Sequence, residues 1–299
     1  MGYASIEATL RAGGLVILDG ATGTELQRRG VPMEPTAWCG AMGAETRPVL
    51  EAVHRDYIDA GARVITANTF ATSRMILDRA GLGARFDEIN LLAVEAALTA
   101  RGDRQDVAVA GSLSHMIPRR DLHGETSDRE IAESYQELAG FLAASGCDLI
   151  LLEMMFAPER MAFAFEAAVS TGLPVWAGFS ARRGAGGEVL SFHQSRDIPF
   201  AEITGILDDF EVQAAGVMHS ESEVTGDALA LIRDVFDGPL TAYPDSGHMK
   251  MPDWQFEEVI AIPDFQNFAQ GWRDQDVGVI GGCCGLGVDH IRALAAGLS

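Results

Sequence analysis

Hydrophobic positions along this chain fall into two alternating patterns. Short runs rich in Val, Ile and Leu, apolar on both faces, lie at Leu15–Asp19, Val64–Asn68, Val107–Ser112, Asp148–Glu153, Pro174–Ser180, Val212–His219, Leu240–Asp245 and Val277–Cys283. Between them run amphipathic stretches at Arg47–Ala60, Asp87–Ala100, Asp128–Ala144, Pro158–Thr171 and Glu223–Phe236, and Val288–Ala296 follows the last run. Strands apolar on both faces suit a parallel sheet covered by helices. Eight strand-then-helix units in 299 residues, without a linker or a composition break, predict one α/β domain over residues 1–299, a single (β/α)8 TIM barrel. A doubly wound open sheet would more often show five or six strands and a glycine-rich first turn. Asp19-Gly20-Ala21-Thr22-Gly23 follows the first run but lacks the G-x-G-x-x-G spacing of a dinucleotide site.

Composition narrows the partners. Hydrophobic residues make up 47% of the chain, enough to fill a large core, and 22 Lys plus Arg against 43 Asp plus Glu leave a net charge of -21. Such a surface repels nucleic-acid phosphates and anionic lipid, so small molecules are the expected partners, with a homo-oligomer left open. The N-terminus shows no basic segment followed by an apolar one, and no run nears the roughly 18 apolar residues of a spanning helix. Four cysteines, two of them adjacent, do not form a disulfide framework, so a cytoplasmic protein with reduced thiols is expected.

In barrels of this kind chemistry gathers at the C-terminal ends of the strands. Polar residues stand there where apolar ones are expected: Asp19-Gly20, Asn68-Thr69, Gly111-Ser112, Glu153, Met218-His219, Tyr243-Pro244-Asp245-Ser246-Gly247 and Gly281-Gly282-Cys283-Cys284-Gly285. Vicinal cysteines on a strand point to opposite sides, so Cys283 and Cys284 face one ion only where the flanking glycines let the chain turn. Two thiolates in a reduced protein suit Zn²⁺, which in catalytic sites takes three protein ligands and keeps one position open. His219 is the one histidine at a strand end and completes a His-Cys-Cys set. Of the others, His54 falls in a helical stretch, His290 at the start of one, and His115, His123, His193 and His248 in loops. These read as solvated or capping groups, with His193 and His248 as further candidates for the pocket.

The sequence argues against two other barrel chemistries. The single lysine, Lys250, falls in a loop and reads as a solvated charge, whereas a Schiff-base barrel needs a lysine on a strand inside the mouth. Paired histidines at i and i+2 on one strand, which a hydrolytic two-histidine barrel needs, are absent from the sequence. Trp176, Phe179, Tyr243, Trp254 and Trp272 are candidates for an aromatic wall against a cationic ligand. Trp176 and Phe179 are three apart on one strand, so at most one looks into the barrel.

Asp19-Gly20-Ala21-Thr22-Gly23-Thr24-Glu25-Leu26, Thr66-Ala67-Asn68-Thr69-Phe70, Leu151-Leu152-Glu153, Tyr243-Pro244-Asp245-Ser246-Gly247 and Gly281-Gly282-Cys283-Cys284-Gly285 together resemble, in order and spacing, the homocysteine S-methyltransferase family. The resemblance spans essentially the whole chain. It implies a zinc-dependent methyl transfer from a small sulfonium or ammonium donor to the thiol of homocysteine or a related acceptor. It also implies metal ligation at Cys283 and Cys284, and binding of the amino-acid end at Asp19 and Glu153. Gly20, Asn68, Tyr243 and Ser246 are further substrate-binding candidates. The family usually reads Gly-Val-Asn-Cys at the sixth strand, and this chain reads Gly216-Val217-Met218-His219. His219 thus stands where a zinc cysteine is expected, and a divergent, metal-free member that handles another small methylated compound remains the alternative reading.

Overall fold

The computed structural model describes residues 2–116, 126–250 and 255–298. Eight strands form one parallel sheet: β1 (Val16–Ile17), β2 (Val64–Ala67), β3 (Ala108–Ser114), β4 (Leu149–Met155), β5 (Val175–Phe179), β8 (Ala214–Met218), β9 (Leu240–Tyr243) and β12 (Val277–Ile280). Two antiparallel hairpins interrupt the series, β6 (Ala181–Arg183) with β7 (Val189–Ser191), and β10 (His248–Lys250) with β11 (Gln255–Glu257). The sheet runs in chain order from β2 to β12 and then to β1. A parallel bridge between Leu18 and Val64 brings β1 back beside β2, so the barrel is nearly closed. The predicted α/β barrel is therefore the observed one.

Helices α1 (Gly2–Arg11), α2 (Thr22–Arg28), α3 (Arg47–Ala60), α4 (Arg74–Arg79), α5 (Phe86–Arg101), α6 (Asp128–Ala144), α7 (Pro158–Ser170), α8 (Phe200–Thr204), α9 (Ser222–Arg233), α10 (Ile262–Arg273) and α11 (Val288–Gly297) complete the described chain. Local chemistry sets their ends. Ser127 and Glu130 form a reciprocal capping box at the start of α6, and Gly61 closes α3 in the left-handed region at φ +115°. The helices predicted at Arg47–Ala60 and Asp128–Ala144 are observed with those bounds. Among the described residues no helix is long and apolar enough to cross a membrane.

Side chains separate into two buried layers by strand alternation. Leu149, Leu151, Trp176, Ala214 and Met218 point into the barrel, while Ile150, Leu152, Ala177, Phe179 and Val217 point out to the helices. Trp176 is the inward member of the Trp176/Phe179 pair, and it lies away from the mouth. Its indole N–H donates to the Tyr3 hydroxyl at 3.2 Å, and Tyr3 and Ile6 of α1 belong to or pack against the interior cluster. The helix α1, which the apolar pattern did not announce, thus packs on the barrel filling. Gly178 and Gly216 lack side chains where the Tyr243 hydroxyl and Thr241 press in, and this leaves room for Tyr243 and Met218 inside.

Several expectations are corrected. The first strand is two residues long, because Leu18 makes only a bridge and Asp19 turns away after its N–H donates to the Val64 carbonyl. The sixth ends at Met218 and the eighth at Ile280, one and three residues short of the predicted ends. His54 and His115, expected to be solvated or capping, are fully buried. Lys250 lies in the hairpin strand β10, not in a loop. His123 and Trp254 lie outside the described residues.

Candidate active site

At the mouth of the barrel a cavity of about 210 Å³ is lined by the first loop (Leu18 to Thr24, with Gln27), by Thr66 and Ala67 at the end of β2 with Asn68 and Phe70 after it, and by Glu153, His219 and Tyr243. Gly282, Cys283 and Cys284 after β12, with Met33, Trp38, Cys39 and Phe256, complete the lining.

The thiols and the imidazole come from non-neighbouring strands and meet. His219 follows β8 in a left-handed conformation, φ +44°, which turns its side chain off the strand direction. Its Nδ1 lies 3.8 Å from Cys283 Sγ, and the two cysteine sulfurs are 3.8 Å apart. One ligand atom from each of the three residues falls within 4.8 Å of the others. Phe192 packs edge-on against the imidazole with ring centres 5.1 Å apart, and Asp245 Oδ2 stands 3.4 Å from Nδ1. Burial works against protonating His219. The facing Cys283 and the carboxylates of Asp245 and Glu153 outweigh it and lift the imidazole to about 9. Cys284 beside it, together with burial, holds the Cys283 thiol well above its usual range.

Two carboxylates stand elsewhere in the same cavity. Asp19 accepts hydrogen bonds from the Thr66 N–H at 2.6 Å and the Thr66 hydroxyl at 2.9 Å. The Ser112 hydroxyl donates to Glu153. Glu153 is aimed by an irregularity in the β4–β5 pairing, where Met154 takes φ +57° and its N–H donates to Met218 Sδ at 3.1 Å. Burial raises Asp19 to about 7 against the Thr66 bonds, and Glu153 to about 7 against the Ser112 bond. Each acid is therefore poised between neutral and charged near neutral pH, and among the described residues neither has an arginine or lysine salt-bridge partner, although the charge of His219 partly offsets the burial of Glu153.

Other expected residues divide. Gly20 and Asn68 line the cavity, but the Asn68 amide is engaged: Nδ2 donates to the Cys39 carbonyl and Oδ1 accepts from the Cys39 thiol at 3.1 Å. Tyr243 is 2% exposed, and its hydroxyl has no partner among the described residues. Ser246 is not part of the lining. Its hydroxyl accepts from the Ile260 N–H, so its side chain braces the neighbouring loop. His193 and His248 do not line the cavity, and Trp272 is buried in the outer layer.

The aromatic wall is only in part the one expected: Tyr243 lines the cavity, but the other aromatic faces there are Trp38 and Phe70, which stack at 5.6 Å and 17°, with Met33 and Phe256 also in the lining. The loop carrying Trp38 has no hydrophobic period, and Trp38 itself sits at φ +51°, so no sequence signal placed it there. Phe70 stood within a recognised motif without an assigned part.

The family described as homocysteine S-methyltransferase matches residues 16–298 of the chain. The chain belongs to the homocysteine S-methyltransferase family. It is accordingly a methyltransferase. It is 25% identical to the selenocysteine Se-methyltransferase of Brassica oleracea var. italica, over 98% of this chain and 91% of that protein. It is 24% identical to the homocysteine S-methyltransferase YbgG of Bacillus subtilis (strain 168), over 94% of each. The fold matches the metallated crystal form of the homocysteine methyltransferase MmuM of Escherichia coli with a TM-score of 0.79 and 23% identity, over 98% of this chain and 99% of that one.

Proposed function

We propose that this methyltransferase alkylates the thiol of homocysteine, or of a close analogue, at a Zn²⁺ site made by His219, Cys283 and Cys284. The methyl donor would be a small sulfonium or ammonium compound. The observation that carries the reading is the meeting of two thiols and an imidazole at the mouth of a buried cavity. A tetrahedral zinc ion with ligands about 2.0–2.3 Å away sets donor atoms roughly 3.5–3.8 Å apart, and the His219–Cys283 and Cys283–Cys284 separations of 3.8 Å suit that geometry. Two thiolates and a neutral imidazole also balance a divalent charge. When bound, zinc supplies a lowered pKa for an incoming thiol, so that sulfur is a nucleophile at neutral pH.

The chain's own residues do the rest. Asp19 and Glu153 receive the α-ammonium group of the acceptor, which draws both acids into their charged form. The unpartnered Tyr243 hydroxyl offers a hydrogen bond inside the cavity, and backbone N–H groups around Gly20 offer donors to the α-carboxylate. Asn68 contributes by holding Cys39 and the first-loop wall in place. Trp38 and Phe70 present aromatic faces to a positively charged donor, whose methyl carbon must approach the sulfur in line. The apolar rim excludes water from that approach.

Metal analysis of the purified protein, paired with calorimetric titration of homocysteine, tests the reading. About one zinc per chain, and binding of homocysteine that depends on it, is the expected result. A wild-type protein that carries no metal and takes none up removes it. Methylation of homocysteine only after Met218→Asn and His219→Cys are introduced together would favour the divergent alternative.

A further inference from the structure

The turn that carries the two thiols is held from outside by α2. The Gly285 N–H donates to the Thr24 hydroxyl oxygen at 3.2 Å in a buried setting, and Arg28 Nη2 donates to the Gly285 carbonyl at 3.4 Å. Arg28 is itself steadied by Glu25 at 2.8 Å. Both backbone groups of the residue after Cys284 are thus engaged by one helix. On the other side the Ser246 N–H donates to the Cys284 carbonyl at 2.9 Å, and the Cys283 N–H donates to the Pro244 carbonyl at 2.7 Å. Gly285 takes φ +82°, and the Ser246 carbonyl lies where a Cβ would stand, so only glycine fits between the two grips.

A buried N–H without a partner is costly, and a turn freed from Thr24 would rotate to find another acceptor. Any such rotation moves Cys284, the adjacent residue, whereas a metal site tolerates displacements of only about half an ångström. We propose that Thr24 is a positioning residue for the Cys283–Cys284 pair, with Arg28 and Glu25 as its support. It holds the turn in the one conformation that keeps both sulfurs beside His219. The consequence for catalysis rests on the methyl-transfer reading, but the placement of the sulfurs does not.

The test compares Thr24→Val, which keeps the shape and removes the acceptor, with Thr24→Ser, which keeps the hydroxyl. In metal-free protein, labelling of each cysteine by a thiol reagent is followed by mass spectrometry. The expected result is that Cys283 and Cys284 label roughly fivefold or more faster in the Val variant and at the wild-type rate in the Ser variant. Cys147, buried between α6 and β4, reports general opening and is expected to label at an unchanged rate. In Co²⁺-loaded protein the Val variant is expected to release metal to a chelator at least tenfold faster, with an altered sulfur-to-cobalt absorption band. Wild-type labelling of the pair in the Val variant, or acceleration of Cys147 in step with the pair, overturns the proposal. A wild-type protein that takes up no Co²⁺ would remove the metal reading, while the labelling comparison would still decide the role of Thr24.

Discussion

His219 Nδ1 and Cys283 Sγ stand 3.8 Å apart although β9 separates their strands in the barrel wall. The contact arises from two departures from strand geometry. His219 leaves β8 with a positive φ, and β12 ends at Ile280, so Cys283 stands beyond the strand, after Gly281 and Gly282.

The meeting of these side chains predicts a graded mutational response. Cys283→Ala or Cys284→Ala is expected to abolish both metal content and activity. His219→Ala is expected to weaken metal binding by roughly 100-fold or more, because even groups that only support a ligand cost 10–100-fold when lost. His219→Cys keeps a good zinc ligand in place and is expected to retain metal. Competition against a chromophoric chelator measures all four.

The two acids of the cavity predict a pH dependence of stability. Asp19 and Glu153 have folded pKa values of about 7, above the roughly 4 of an unfolded carboxyl. Between those values the folded chain holds protons that the unfolded chain has released, so these groups lower stability as pH rises from about 4 to about 7. Asp19→Asn and Glu153→Gln are expected to flatten that contribution, as read from denaturant midpoints at pH 5, 6, 7 and 8. A midpoint difference between variant and wild type that does not change with pH would refute it. An acceptor bearing an ammonium group is expected to bind more tightly as pH rises through 7.

His54 and His115 act with the opposite sign. Both are fully buried with no partner on either ring nitrogen among the described residues, and burial lowers each to about 3. The unfolded chain binds protons at about 6.5 where the folded chain does not, so stability falls as pH drops from about 6.5 toward 3. His54→Leu fills the same apolar site without a titrating group and is expected to move the acid-unfolding midpoint downward. The two effects overlap between pH 4 and 6.5, so each is read from the difference between variant and wild type.

The Trp38–Phe70 stack predicts a split between the two substrates. Trp38→Ala is expected to raise KM for a cationic donor roughly 3- to 30-fold, in line with about 0.5–2 kcal/mol for a cation over an aromatic face. The affinity for homocysteine, measured by calorimetry without donor, is expected to change little. Equal loss of both would place Trp38 in the general architecture of the mouth.

The barrel and much of its site were legible in the chain because they rest on local pattern. Strands apolar on both faces have to be covered by helices, and polar residues that interrupt such runs at their ends mark the mouth of the barrel. Asp19, Glu153, Tyr243, His219 and the two cysteines were found in that way, and all of them line the cavity. Where contacts between distant segments decide, the pattern is silent. Whether Trp176 looks to the mouth or to α1, whether His54 is wet or buried, and which way Ser246 turns its hydroxyl all depend on what packs opposite. Trp38 is the clearest case. It reaches the cavity through an irregular loop at a positive φ, held by its stack on Phe70, and neither residue type nor spacing encodes that encounter. Alternation along a strand is a property of the chain itself, whereas the partner across a cavity is fixed only when the barrel closes.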